Sequence, residues 1–175
     1  MARAPLRAEG AALAAAQVSL RPAEGDDEPF LRDLFRVLRW DEFAALGWPD
    51  DQRSRFIDLQ FNYRKRHYDA AFGTAELYVV THGPTPIGQF HVDRDGRALH
   101  VVDISLLPEW RGRGIGAALL ALLQAEVRAG RGEAVRLEVA VGNPAERLYR
   151  RLGFVEIPPE DDLPRISREM TWRPG

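Results

Sequence analysis

Residues 108–119 read PEWRGRGIGAAL, and they run straight into an apolar helix-forming stretch, AALLALLQAEVRA, over 117–129. Gly112, Gly114 and Gly116 alternate, with Arg111 before the first and Arg113 between the first two. A glycine-rich turn that opens a helix exposes successive backbone N–H groups at the positive end of the helix dipole. Such a turn seats a phosphate without a metal. Two ligands fit the letters. Gly112-x-Gly114-x-x-Ala117 loosely satisfies a dinucleotide fingerprint, whereas Arg111-x-x-Gly114-x-Gly116 spells a different pyrophosphate cradle.

The surrounding elements separate the two. Val18–Arg21 is a short strand ended by Pro22. Phe30, Leu31, Leu34, Phe35 and Leu38 recur at helical spacing. Asp50 or Asp51 then starts a second helix, which runs to about Phe72 and closes at Gly73; Phe56, Leu59, Tyr63, His67 and Ala70 form its periodic row. Three strands follow, Leu77–Thr81, Ile87–Val92 and Leu99–Leu107, the last two joined by a hairpin turn around Asp95-Gly96. Pro108 cannot donate to a sheet ladder and ends the third. After the glycine stretch and its helix come a strand at Ala134–Val141, a helix from Asn143-Pro144 to Leu152 capped by Gly153, and two strands starting at Phe154 and Ile166. A dinucleotide fold needs the glycine turn directly after an early strand of a βαβ unit. Here about a hundred residues precede it, and Pro108-Glu109-Trp110-Arg111 intervenes. Glu138 stands mid-strand rather than at a strand end. No Lys-Ser or Lys-Thr follows the glycines, which excludes a Walker loop. The dinucleotide oxidoreductase stays only as a remote alternative.

Composition sets the bounds. The 175 residues suit one domain, and 24 basic against 26 acidic side chains provide no global field for nucleic acid. The absence of cysteine excludes disulfides, thiolate zinc sites and a cysteine nucleophile, and it is compatible with a reducing cytoplasm. No apolar run approaches the roughly 20 residues that cross a bilayer, so neither a membrane nor a nucleic acid is expected as partner. The N-terminal MARAPLRAEGAALAAAQ is too weakly apolar for a signal peptide. It reads as a disordered tail over 1–17, or one helical only when bound, ahead of a single domain at 18–175. The Ala, Arg, Gly and Pro usage resembles that of a high-GC bacterial genome, the expected source.

With VDISLLPEWRGRGIGAALL at 102–120 and LEVAVGNPAERLYRRLGF at 137–154, the chain resembles the Gcn5-related N-acetyltransferase (GNAT) superfamily over Val18–Trp172. The resemblance implies an α/β fold: a mixed, mostly antiparallel sheet of about seven strands flanked by about four helices, with strands 4 and 5 parallel and splayed. It implies acetyl-CoA as co-substrate, with the pyrophosphate on Arg111, Gly112, Arg113, Gly114, Ile115 and Gly116. The pantetheine arm would lie along the Ile104–Leu107 backbone, with Leu106 the main contact and Leu107 beside it. Asn143 reads either as a pantetheine contact or as a helix N-cap. Tyr149 matches the position whose hydroxyl protonates the departing thiolate, although a tyrosine packed on the core reads equally from the letters. Asp103, a charge inside an apolar strand, is a base or a structural ion-pair partner; some relatives carry the base one position earlier, where Val102 stands. His91 and His100 are further candidates. The acceptor pocket is expected from the first two helices and the hairpin after strand six. Gln60, Phe61, Tyr63, Arg64 and His67 lie on the second helix and some of them would line it, and the Arg64-Lys65-Arg66 cluster is either a steering patch or a solvated face. Scattered histidines give no metal site. The expected activity is acetyl transfer to a primary amine of a small molecule or peptide, by direct attack in a ternary complex. The expected setting is the cytoplasm, with a homodimer as the family's common state. A non-catalytic acyl-CoA-binding module is the alternative.

Overall fold

The computed structural model describes Leu6 and residues 11–94, 96–158 and 164–175. In chain order the helices are α1 (Ala11–Ala15), α2 (Glu28–Arg39), α3 (Asp50–Ala71), α4 (Ile115–Arg128) and α5 (Ala145–Arg151). The strands are β1 (Val18–Pro22), β2 (Glu76–His82), β3 (Thr85–Asp93), β4 (Ala98–Leu106), β5 (Ala134–Ala140), β6 (Val155–Glu156) and β7 (Ser167–Trp172). Among the described residues they form one sheet in the order β1-β2-β3-β4-β5-β7-β6, antiparallel throughout except for the β4–β5 pair. This sheet is not the parallel sheet a dinucleotide fold requires. Asp95 of the expected hairpin turn lies outside the described residues.

Alternation along the strands sorts the two faces. Phe90, Val92, Leu99, Val101 and Leu137 are buried in a common core with Leu119, Leu120, Leu123 and Val127 of α4. Each such side chain contributes roughly 1.5–3 kcal/mol when fully removed from water. On the opposite side α2 and α3 pack together, with Leu31, Leu34, Phe35 and Ile57 buried.

The N-terminal segment differs from the expected tail at two places. Leu13 of α1 is buried in the core, and so is Leu6, whose N–H donates to the Tyr78 hydroxyl at 2.9 Å. Single leucines among alanines carry little periodic signal, yet each fills a site on the domain. Residues 1–5 and 7–10 of that expectation lie outside the described residues.

The approach to α2 is fixed by charge. Both terminal nitrogens of Arg21 donate to the Asp27 carboxylate at 2.7 and 2.6 Å, and Glu24 N–H donates to it at 2.8 Å. The Arg21 hydrogen bonds, then that of Glu24, hold the Asp27 carboxyl down at about 2. A depressed carboxyl stabilises the fold above its ordinary pKa and loses that contribution as pH falls through its folded value. Asp27→Asn therefore lowers stability at neutral pH by about 1 kcal/mol, and the deficit shrinks between pH 3.8 and about 2. Urea titrations of both proteins across that range measure it; a constant deficit would assign the contribution to shape rather than charge.

Candidate active site

The site begins where β4 and β5 part. They pair only from Ala98↔Ala134 to Val101↔Leu137; beyond that point β5 continues on β7 alone. The register of β4 on β3 slips at the same place. His91 faces Asp103 and Val92 faces Val101, which leaves Val102 as the extra residue of a bulge. The bulge bends β4 and resets its alternation. Leu99, Val101, Ile104 and Leu106 all meet the α4 core, while His100, Asp103 and Ser105 point toward α3. The β4 edge past Val101 therefore has no strand beside it.

Backbone along that edge is sorted by the ladder. Leu107 N–H donates to Ile87 C=O at 2.9 Å, so the alternation of an antiparallel pair turns the Leu106 N–H and C=O to the open side. Of the two expected pantetheine contacts, only Leu106 presents its backbone to the gap; the Leu107 amide is already used. Arg111 Nε reaches back to Leu106 C=O at 3.1 Å. A Cβ at Gly88 would collide with Ser105 C=O and the Leu106 side chain, so a glycine there is what lets β3 press against this end of β4.

The glycine turn closes one end of the gap. Gly112 and Gly114 have φ of 72° and 80°, in the left-handed region, and a Cβ on either would point into open space. Gly114 caps α4, whose first closing bond runs from Ala118 N–H to Gly114 C=O at 3.0 Å. The amides of Ile115, Gly116 and Ala117 thus precede any intrahelical acceptor. Gly116 brings α4 close to α5, since a Cβ there would lie 3.4 Å from Leu148 Cδ2. The two arginines brace the turn: Arg111 holds Leu106, and the Arg113 guanidinium lies 4.7 Å from the Trp110 ring centroid, with Trp110 against His82.

On α5, Tyr149 is buried beside Phe154. Its hydroxyl has no hydrogen-bond partner among the described residues. Burial first, and the Asp103 charge second, push its pKa up to about 12, so it stays protonated across neutral pH. Asn143 does what a cap does: its Oδ1 accepts the Ala145 N–H at 2.9 Å.

Asp103 accepts hydrogen bonds from Arg64 Nη2 and Gln89 Nε2, and from Ser105 Oγ at 3.2 Å. The Arg64 guanidinium lies 5.2 Å from the Phe35 ring centroid and 4.9 Å from that of Tyr68. Burial lowers the Arg64 pKa, but the attraction of Asp103 and Tyr68 outweighs it and leaves the group more basic than usual. Arg64 is therefore a paired, ring-stacked cation and no part of a solvated face. His91, opposite Asp103 across the β3–β4 ladder, and His100, against Phe72, are both shifted down, chiefly by burial.

Beside this cluster a pocket of about 270 Å³ lies between α2, α3 and the β2–β3 surface. Phe61, Arg64, Lys65 and Tyr68 are its α3 wall. The expected row Gln60, Tyr63 and His67 is exposed instead, with Tyr63 stacked on His67 at 6.5 Å. The helix is turned by about one residue, roughly 100°, from the expected phase. Of the expected residues, Phe61 and Arg64 do line the pocket, and Asp103, the partner of Arg64, makes that arginine an inward residue. Gln89, Ser105 and Tyr68 are not among the expected residues; a polar residue inside each of IGQFHV and VDISLL is the available sign for the first two. Among the described residues none of the β6–β7 hairpin lines the pocket; residues 159–163 of that expected contribution lie outside the described residues.

Comparison with known proteins agrees with this architecture. Residues 73–156 match the model of the acetyltransferase (GNAT) domain. An N-alpha-acetyltransferase of Sulfurisphaera tokodaii is 48% identical over 60 residues, 33% of this chain and 36% of that protein. The matched stretch thus spans about a third of the curated relative's length. The PaiA N-acetyltransferase of Thermoplasma acidophilum, solved with coenzyme A, superposes with a TM-score of 0.62 at 16% identity, covering 89% of this chain and 98% of its own. The spermidine N-acetyltransferase of Vibrio cholerae, solved with coenzyme A and spermine, gives 0.59 at 24% identity, covering 90% and 95%. On a sheet whose fourth and fifth strands part at a bulge, the chain thus carries an acetyltransferase (GNAT) domain over residues 73–156.

Proposed function

We propose that the chain transfers an acetyl group from acetyl-CoA to a primary amine by direct attack. One observation carries this reading: the unpartnered edge of β4 leads from the cradle at the head of α4 to Tyr149 and Asp103. The residues present suit the donor. Open space over Gly112 and Gly114, with unpaired amides of the first turn of α4, fits a pyrophosphate. The Leu106 N–H, turned to the open side while its C=O accepts from Arg111, fits a carbonyl of an amide-bearing arm.

The chain's own groups then have distinct tasks. Tyr149, kept protonated by burial, is placed to give its proton to the departing sulfur. Asp103 is already held by three side chains, so it provides fixed negative potential for the incoming ammonium more readily than a free proton acceptor. The balance is simple. The ammonium releases one proton; the nitrogen forms the C–N bond as the C–S bond breaks; the sulfur takes the Tyr149 proton; and the nitrogen's surplus proton restores the phenol. No covalent enzyme intermediate through cysteine is available, because the chain has none.

Thiol release from acetyl-CoA across a panel of primary amines, run beside calorimetric titration with acetyl-CoA, tests the reading. Amine-dependent release is expected. Saturable binding with no release on any amine would leave a binding module instead, and stabilisation by NADH but not by acetyl-CoA would overturn the donor.

A further inference from the structure

We infer that Arg111 is a positioning residue for the β4 edge that takes the pantetheine arm, and that its guanidinium sets the spacing between that edge and the phosphate seat. This inference rests on the acetyl-CoA donor of the transfer reading above. It is carried by the way the last peptide of β4 is held.

Leu106 ends β4, and β5 last pairs with that strand at Val101. The peptide leaving Leu106 is gripped from opposite sides. Leu107 N–H donates to Ile87 C=O at 2.9 Å, and Leu106 C=O accepts from Arg111 Nε at 3.1 Å. The turn at Pro108–Trp110 makes the second grip possible. Trp110 N–H closes on Leu107 C=O at 2.9 Å and Arg111 N–H on Pro108 C=O at 3.2 Å, which folds the chain back beside its own strand. Without the arginine this peptide would be tied to β3 alone, next to a proline that has no N–H to offer. A peptide plane free to rock at Leu106 also loosens the aim of the Leu106 N–H into the gap.

The guanidinium suits a double task. It is planar, always charged and rich in donors held in one rigid fork. Its Nε–H is committed to Leu106, and no carboxylate pairs with Arg111 among the described residues, so the Nη donors are left for an anion. Gly112, the next residue, opens the turn whose free space suits the pyrophosphate. One side chain thus spans both halves of the donor site, and its stiffness fixes their separation. Arg113 is not built this way, since its guanidinium lies on the Trp110 ring at 4.7 Å and makes no bond to the strand. Bond count separates the two tasks. Glutamine places its Nε2 amide at the same number of bonds from Cα as Arg111 Nε, so it restores the donor without the charge. Methionine puts a methyl group there and restores neither.

The test titrates acetyl-CoA by calorimetry, and pantetheine, which carries no phosphate, by competition against it. Wild type, Arg111→Gln and Arg111→Met are compared, with the melting temperature of each. Arg111→Met is expected to weaken pantetheine about tenfold, the net worth of one well-placed hydrogen bond, and Arg111→Gln to recover most of that loss. Acetyl-CoA weakens in both variants, and more in the methionine variant, because glutamine lacks only the charge. Melting temperatures stay together, since Arg111 is exposed. Equal pantetheine affinity in all three proteins, beside weakened acetyl-CoA, overturns this inference alone and leaves Arg111 as a charge for the phosphates. Equal loss of pantetheine in both variants overturns it as well, as does a loss matched by a fall in melting temperature, or a wild type that binds acetyl-CoA but not pantetheine. A wild type that binds neither ligand overturns the donor reading and this inference together.

Discussion

Gly114→Glu abolishes acetyl-CoA binding. Two penalties combine at this position. A φ of 80° costs a side-chain-bearing residue about 1–2 kcal/mol, which loosens the turn. The new carboxylate then stands in the open space over the turn, where the cradle would seat the pyrophosphate. Like charges in place of amide donors both repel the ligand and remove its seat. We expect affinity to fall at least 100-fold by calorimetry, with the far-ultraviolet spectrum of the fold retained because nothing lies within 4 Å to be displaced. Gly114→Asn is the control. Asparagine tolerates left-handed backbone and brings no charge, so it should lose far less. Unchanged affinity in the glutamate variant would remove the phosphate assignment from this turn.

Tyr149→Phe lowers kcat by on the order of 100-fold, the lower end for a positioned acid, with little change in the KM of acetyl-CoA. The hydroxyl has no hydrogen-bond partner among the described residues to leave unsatisfied, and the ring keeps its place against Phe154, so stability is nearly unaffected. The pH dependence follows from the direction of the shift. An acid must be protonated to act, and burial pushes Tyr149 up to about 12. Its deprotonation therefore sets no alkaline limb on kcat at any pH well below that value. A wild-type rate for the phenylalanine variant would take Tyr149 out of the chemistry.

The readings that succeeded from letters alone were those whose physics is local. Positive-φ glycines, a proline that ends a strand and the apolar run of α4 each constrain the backbone within a few residues. They fixed the order of elements and the turn at the head of α4. The phase of α3 was not local. Ile57, Phe61, Arg64 and Tyr68 face inward because Asp103, on a strand far along the chain, neutralises the one charge in that row. Periodicity counts Leu59 and Tyr63 as apolar and assigns them to the inside, yet they are 65% and 66% exposed. The Leu107 amide was similarly beyond reach, since only the register on β3 shows that Ile87 holds it.

The bulge at Val102 has a further consequence. A strand with strict alternation ties its two faces together, so an added or lost residue exchanges inside for outside along its whole length. In β4 the single unpaired residue separates the strand into two phases: Leu99 and Val101 keep step with each other, and Ile104 and Leu106 keep step with each other. The half that builds the interior and the half that meets the reactants share one continuous backbone but count from different origins. Drawing Val102 into the ladder as an ordinary paired residue would put Asp103 and Ser105 into the hydrophobic layer, whereas its place outside the pairing keeps them on the reactant side. The chemistry of the site therefore depends on a residue whose own side chain takes no part in it.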